Sequence, residues 1–100
     1  MDVFEALADG NRRRIIERLG EDELAAGAIV DALGLSQPNV SKHLRALRDC
    51  GLVSVRKDAQ RRMYKLEAAK LAALDLWLRP YRKKWAGRLD ALERHLRKRK

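Results

Sequence analysis

The chain has 100 residues, 46% of them apolar and 37% charged, with a net charge of +9 and a pI near 10.3. This length holds one small core, so one domain spanning residues 1–100 is expected; no apolar run approaches the 18 residues that would suggest a membrane span. The first residues lack a basic-then-apolar leader, and Cys50 has no second cysteine to pair with, so a reducing cytoplasm is the expected compartment.

The charge is unevenly spread: residues 1–35 carry −4, residues 36–66 carry +6 and residues 67–100 carry +7. A polyanionic partner follows, either nucleic acid or an anionic membrane surface. Membrane attachment would call for a basic amphipathic helix with an exposed apolar face or a lipidation motif; no such motif is found, and nucleic acid is favoured over membrane.

Val3, Phe4, Leu7 and Ala8 sit at helical spacing in a short first segment. Asp9 can cap a second helix from about Gly10 to Leu19, with Ile15, Ile16 and Leu19 on one face. Arg12, Arg13 and Arg14 crowd its start, where cations oppose the helix dipole, so nearby carboxylates are expected to answer some of them and phosphates the rest. Gly20 breaks the pattern, Glu21–Glu23 form an acidic connection, and Leu24 to Leu33 is expected to be a third helix that Gly34 closes.

From Gly34 to Leu47 the sequence reads GLSQPNVSKHLRAL. Ser36 is a helix cap, Pro38 fits the first turn, and Val40, Leu44 and Leu47 stack on one buried face. The other face carries Gln37, Asn39, Ser41, Lys42, Arg45 and Arg48, which have the chemistry to reach base edges and phosphates. From this helix alone, a solvated surface helix and a reading head are equally consistent. The short turn between two helices matches helix-turn-helix geometry, placed at about 24–50.

After Gly51 the period changes to that of short strands. Leu52, Val53 and Val55, then Met63, Tyr64 and Leu66, flank the polar tip 57–62, giving a hairpin at about 52–66. Its Arg56, Lys57, Arg61 and Arg62 are not needed for a core and would sit beside a duplex backbone.

In the last third, Leu71, Leu74, Leu78, Tyr81, Trp85, Leu89, Leu92 and Leu96 step by three or four. Pro80 predicts a break, with one helix ending near Leu78 and a second running from about Pro80 to Arg97. So long a stripe exceeds what a 100-residue core covers. The expected partner is a second copy, through Phe4, Leu7, Trp85, Leu89, Leu92 and Leu96, which makes about 68–98 a dimerisation segment. Trp77, Tyr81 and Trp85 could instead line a ligand cavity, with packing the favoured role. Arg94, Arg97, Lys98, Arg99 and Lys100 read as a solvated basic end.

The order of helices, hairpin and long terminal segment resembles the winged-helix repressors of the ArsR/SmtB family across essentially the whole chain. The residues carrying the resemblance are Phe4–Asp9 with Arg12–Ile16, then GLSQPNVSKHLRALRDCGLV from Gly34 to Val53, then Tyr64-Lys65-Leu66. The resemblance implies a mainly α fold with a small β-hairpin, a winged helix-turn-helix. It also implies a homodimer on a pseudo-palindromic operator, contacting DNA through Ser36, the polar face of the helix and the basic wing.

Two departures matter. Metal-sensing members carry a cysteine motif where this chain has Glu23-Leu24-Ala25-Ala26-Gly27-Ala28-Ile29, and Asp90, Glu93 and His95 lack the second histidine of the alternative terminal-helix site. No metal or other cofactor is therefore expected, and any effector is left unknown. At the wing tip, Ala59-Gln60 stands where relatives often place glycine. Cys50, late in its helix near the apolar edge, reads as an inert thiol.

The resulting expectation is a transcriptional regulator, most consistent with a repressor. A ligand- or metal-responsive sensor repressor and a non-specific architectural nucleic-acid protein are the alternatives. No catalytic constellation or phosphate-binding glycine loop is present, so an enzyme is not expected.

Overall fold

A computed structural model describes residues 1–98; Arg99 and Lys100 of the expected basic end lie outside the described residues. Two capped helices open the chain. Asp2 caps α1 (Val3–Leu7) by accepting from Glu5 N–H at 2.8 Å, and Asp9 caps α2 (Gly10–Leu19) by accepting from Asn11 N–H at 2.8 Å and Arg12 N–H at 3.1 Å.

A two-residue strand follows, β1 (Leu24–Ala25), and then α3 (Ala26–Leu33). This corrects the expected helix from Leu24. The sequence supplies no side-chain cap at Ala25, whereas a free strand edge downstream offers Leu24 and Ala25 partners in Tyr64 and Met63. Tertiary pairing overrides the local pattern. Gly34 ends α3 at φ +66, a left-handed conformation suited to glycine, with its N–H on the Val30 carbonyl.

Ser36 caps α4 (Gln37–Asp49), its hydroxyl oxygen accepting from Asn39 N–H at 3.3 Å, with Pro38 in the first turn. The chain then turns through Gly51 at φ +82 into β2 (Val53–Asp58) and β3 (Arg61–Leu66). The sheet order is β1-β3-β2, all antiparallel, so the expected hairpin becomes a three-stranded sheet with β3 at its centre. Asp58 pairs with Arg61, which leaves Ala59-Gln60 as the loop, and Ala59 adopts φ +56. Alanine therefore takes a left-handed backbone shape that favours glycine.

The last element is one helix, α5 (Ala68–Lys98), with Pro80 inside it. The expected break does not occur. Proline removes one helical N–H, but Leu76 and Pro80 are both exposed, so water can serve the carbonyl thus freed. Asp75 also bridges the site, pairing with Arg79 at 3.5 Å and Arg82 at 2.5 Å.

The core comprises Ala6, Ile15, Leu19, Ile29, Val40, Leu44, Leu47, Leu52 and Val53, with Leu71 the α5 residue packed against its margin. It lies between Ala6 and Val53, and α5 contributes no fully buried residue. The radius of gyration is 18.0 Å, against about 13 Å for a compact 100-residue domain. Much of α5 therefore projects from the globular part.

Candidate nucleic-acid interface

The three early arginines do not meet carboxylates, as expected of some of them, but helix C-termini. Arg12 Nε donates to Ala6 O at 2.6 Å and its Nη2 to Glu5 O at 3.1 Å; Arg13 donates to Leu7 O at 2.7 Å; Arg14 donates to Leu33 O at 3.1 Å. Orphan carbonyls at helix ends carry partial negative charge, so these cations cap α1 and α3 while sitting at the start of α2. Arg14 thereby ties α2 to the last turn before Gly34, which fixes the approach to α4. Asp9 has its carboxyl held below the ordinary range, chiefly by the Arg12 backbone N–H.

On α4, Val40, His43, Leu44 and Leu47 are buried, while Ser36, Gln37, Asn39, Ser41, Lys42, Arg45 and Arg48 are all exposed. His43 is 9% exposed, on the buried side of this helix, and its Nδ1 has no hydrogen-bond partner.

Strand alternation sorts the wing's cations. Successive side chains alternate faces and directly paired residues share one. Leu24, Val53, Val55, Tyr64 and Leu66 thus face the core and α4, and Lys57 and Arg62 continue that face outward as a directly opposed pair. Arg56 and Arg61 fall on the outer face. There each has an acid: Arg56 Nε donates to Glu23 Oε2 at 2.9 Å, with Nη2 2.7 Å from the same oxygen, and Arg61 lies 3.9 Å from Asp58. The bond from Arg56 holds the Glu23 carboxyl below its usual range, and Glu23 raises the Arg56 guanidinium in return.

Between α4 and the inner face of the wing lies a cleft of about 430 Å³, lined by Ser41, Lys42, Arg45, Arg48, Arg62 and Tyr64. Among the described residues none of Lys42, Arg45, Arg48, Lys57 or Arg62 forms an ion pair. Like charges directly opposed across a ladder, as at Lys57 and Arg62, repel. An anion between them relieves that repulsion. The cleft therefore collects uncompensated positive charge beside hydroxyl groups, the chemistry of a phosphate track.

Of the residues singled out from sequence, Ser41, Lys42, Arg45, Arg48 and Arg62 line this cleft, with Lys57 on the same face of the wing. Ser36, Gln37 and Asn39 lie at the N-terminal end of α4, outside the cleft lining; Arg56 and Arg61 point to the outer face of the wing, although Arg56 also borders a second cleft of about 270 Å³ with Arg48, Val55, Lys57 and Arg62. Tyr64 was missed as a lining residue, although counting by twos from Arg62 would have found it. On α5, Trp85, Leu89, Leu92 and Leu96 are more than half exposed, and Phe4 is exposed with its ring 5.3 Å from that of Trp77. Leu7, by contrast, packs in part against the chain's own core. Trp77 stacks on Tyr81 at 5.0 Å, so these rings pack on one another along the helix surface.

Residues 9–55 match the family described as bacterial regulatory protein, arsR family. An HTH-type transcriptional regulator of Mycobacterium tuberculosis is 46% identical over 72 residues, 72% of this chain and 67% of that protein. A Streptomyces lividans protein, named a probable mercury resistance operon repressor, is 35% identical over 91 residues, 91% of this chain and 73% of that one. The chain belongs to the ArsR family. Among solved structures, a homodimeric winged helix-turn-helix DNA-binding domain from Mycobacterium bovis superposes with a TM-score of 0.67 at 32% identity, covering 82% of this chain and 76% of that one. This ArsR-family chain is thus a winged helix-turn-helix DNA-binding transcriptional regulator. No helix of the described residues is long and apolar enough to cross a membrane.

Proposed function

We propose that the chain is a cytoplasmic, non-enzymatic repressor that binds a pseudo-palindromic operator as a homodimer, residues 1–100 acting as one domain. The observation that carries this reading is the sorting of charge: cations on the face shared by α4 and the inner wing lack acidic partners, whereas the outer-face arginines have them. Gln37, Asn39 and Ser41 approach base edges in the major groove; Lys42, Arg45 and Arg48 pair with guanine or phosphate; Ser36, Lys57 and Arg62 hold the backbone. The Ser36 hydroxyl, although it accepts the Asn39 N–H, still has its proton to give to a phosphate. In this reading Arg56 and Arg61 are supporting residues rather than principal contacts.

We also place the chain in the branch of the family without the metal-binding cysteine motif. Supporting this, residues 23–29 contain no cysteine, and the one cysteine lies at the end of α4 with its thiol on the Leu47 carbonyl. A metal panel read by tryptophan fluorescence and operator affinity tests this, because a sensor would lose affinity on loading.

The wing assignment is tested by comparing two single variants on one duplex. Arg62→Gln is expected to weaken binding on the order of 1 kcal/mol and lower the salt slope by about one, while Arg61→Gln changes affinity less than twofold. Equal losses at both positions would reject the division between inner and outer faces.

A further inference from the structure

The other ion pairs of the described residues join near neighbours in sequence, no more than seven positions apart. The pair of Glu23 and Arg56 joins residues 33 apart. Glu23 leads into β1, one edge of the sheet, and Arg56 belongs to β2, the other edge, so the pair reaches across the central strand on the outer face. It acts at the last level where a third strand backs the hairpin: Ala25 pairs with Met63, and Met63 with Arg56. Beyond that level, residues 57–62 have ladder partners only within the hairpin.

We infer that Glu23 is a positioning residue for DNA binding: its carboxylate clips Arg56 across the sheet and so sets the angle at which the wing presents Lys57 and Arg62 to the cleft beside α4. The inference rests on the DNA-binding reading above. An exposed pair of this kind adds little to global stability. Its effect falls instead on the hinge between a three-stranded base and a two-stranded tip. The Arg56 side chain is engaged by both Nε and Nη2 on one carboxylate oxygen.

Glu23→Gln separates positioning from simple electrostatics because the two predict opposite signs. The substitution raises the net positive charge by one, which by charge alone tightens binding to a polyanion. Loss of the clip weakens it. With anisotropy measured on a duplex selected by the wild-type protein, Glu23→Gln is expected to bind about fivefold more weakly, a typical coupling for residues sharing one network. The charge-exchanged double variant Glu23→Arg/Arg56→Glu is expected to return within about twofold of wild type. In parallel, hydrogen exchange of wing amides quickens in Glu23→Gln and slows again in the double variant. Binding by Glu23→Gln as tight as wild type or tighter, or a double variant no better than the single one, would overturn the clip. If the wild-type protein selects no duplex, the DNA reading fails, and unchanged wing exchange in Glu23→Gln then rejects the clip independently.

Discussion

At the scale of single residues, Ala59 and Glu23 depend most on their tertiary setting. Ala59 sits at φ +56 in the two-residue loop of the wing, a conformation that costs an L-residue about 1–2 kcal/mol relative to glycine. Ala59→Gly is accordingly expected to raise stability by about 0.5–1 kcal/mol, after allowing for the greater freedom of glycine in the unfolded chain, as read by urea denaturation. A lower midpoint would show that the strain is not present in solution. Glu23 stood in the sequence as one acid in an acidic run, and nothing local distinguished it from Glu21 or Asp22. Its importance comes from a partner 33 positions away, which periodicity cannot reach. The three arginines of α2 show the same limit. Their charge was legible, but the carbonyls at the ends of α1 and α3 became partners only once the helices were packed.

At the scale of elements, α4 was the most legible part of the chain, because its cap, its first-turn proline, its apolar face and the glycine before it all agreed with one another. Where local signals conflicted or were thin, tertiary context decided. Leu24 and Ala25 fit a helix pattern but joined the free edge of β3, and the wing's basic residues were visible as a set without the strand pairing that divides them into two faces. Alternation was available in the sequence from Arg56 to Arg62; the register that gives it meaning depends on which residues occupy the loop. Pro80 is the opposite case, a strong local signal overruled because exposure and the Asp75 ion pairs let the helix continue. Pro80→Ala is expected to add about 2–3 kcal/mol to the stability of α5 and to raise helical ellipticity. No gain would mean that the proline bends the helix into a shape the dimer requires.

At the scale of the whole molecule, charge and apolar surface are segregated. The core lies between Ala6 and Val53, the basic cleft lies between α4 and the hairpin, and α5, about 46 Å long at 1.5 Å per residue, carries an uncovered stripe of Trp85, Leu89, Leu92 and Leu96. Steps of four, three and four are those of a helix-helix seam, and in the proposed dimer a second copy covers it. Leu92→Glu is expected to shift the protein from dimer to monomer in sedimentation and to weaken operator binding at least tenfold, since each half-site is then held by one recognition helix alone. A dimer that survives this change would place the interface elsewhere on the chain.

The most direct test of the central claim is to expose the purified full chain to a pool of random duplexes at near-physiological salt and sequence those retained. A homodimer reading DNA through two copies of α4 predicts an inverted repeat with half-sites about one helical turn apart, roughly 34 Å centre to centre or a multiple of it. Retention without an enriched motif, or enrichment of a single unpaired site, would contradict the account.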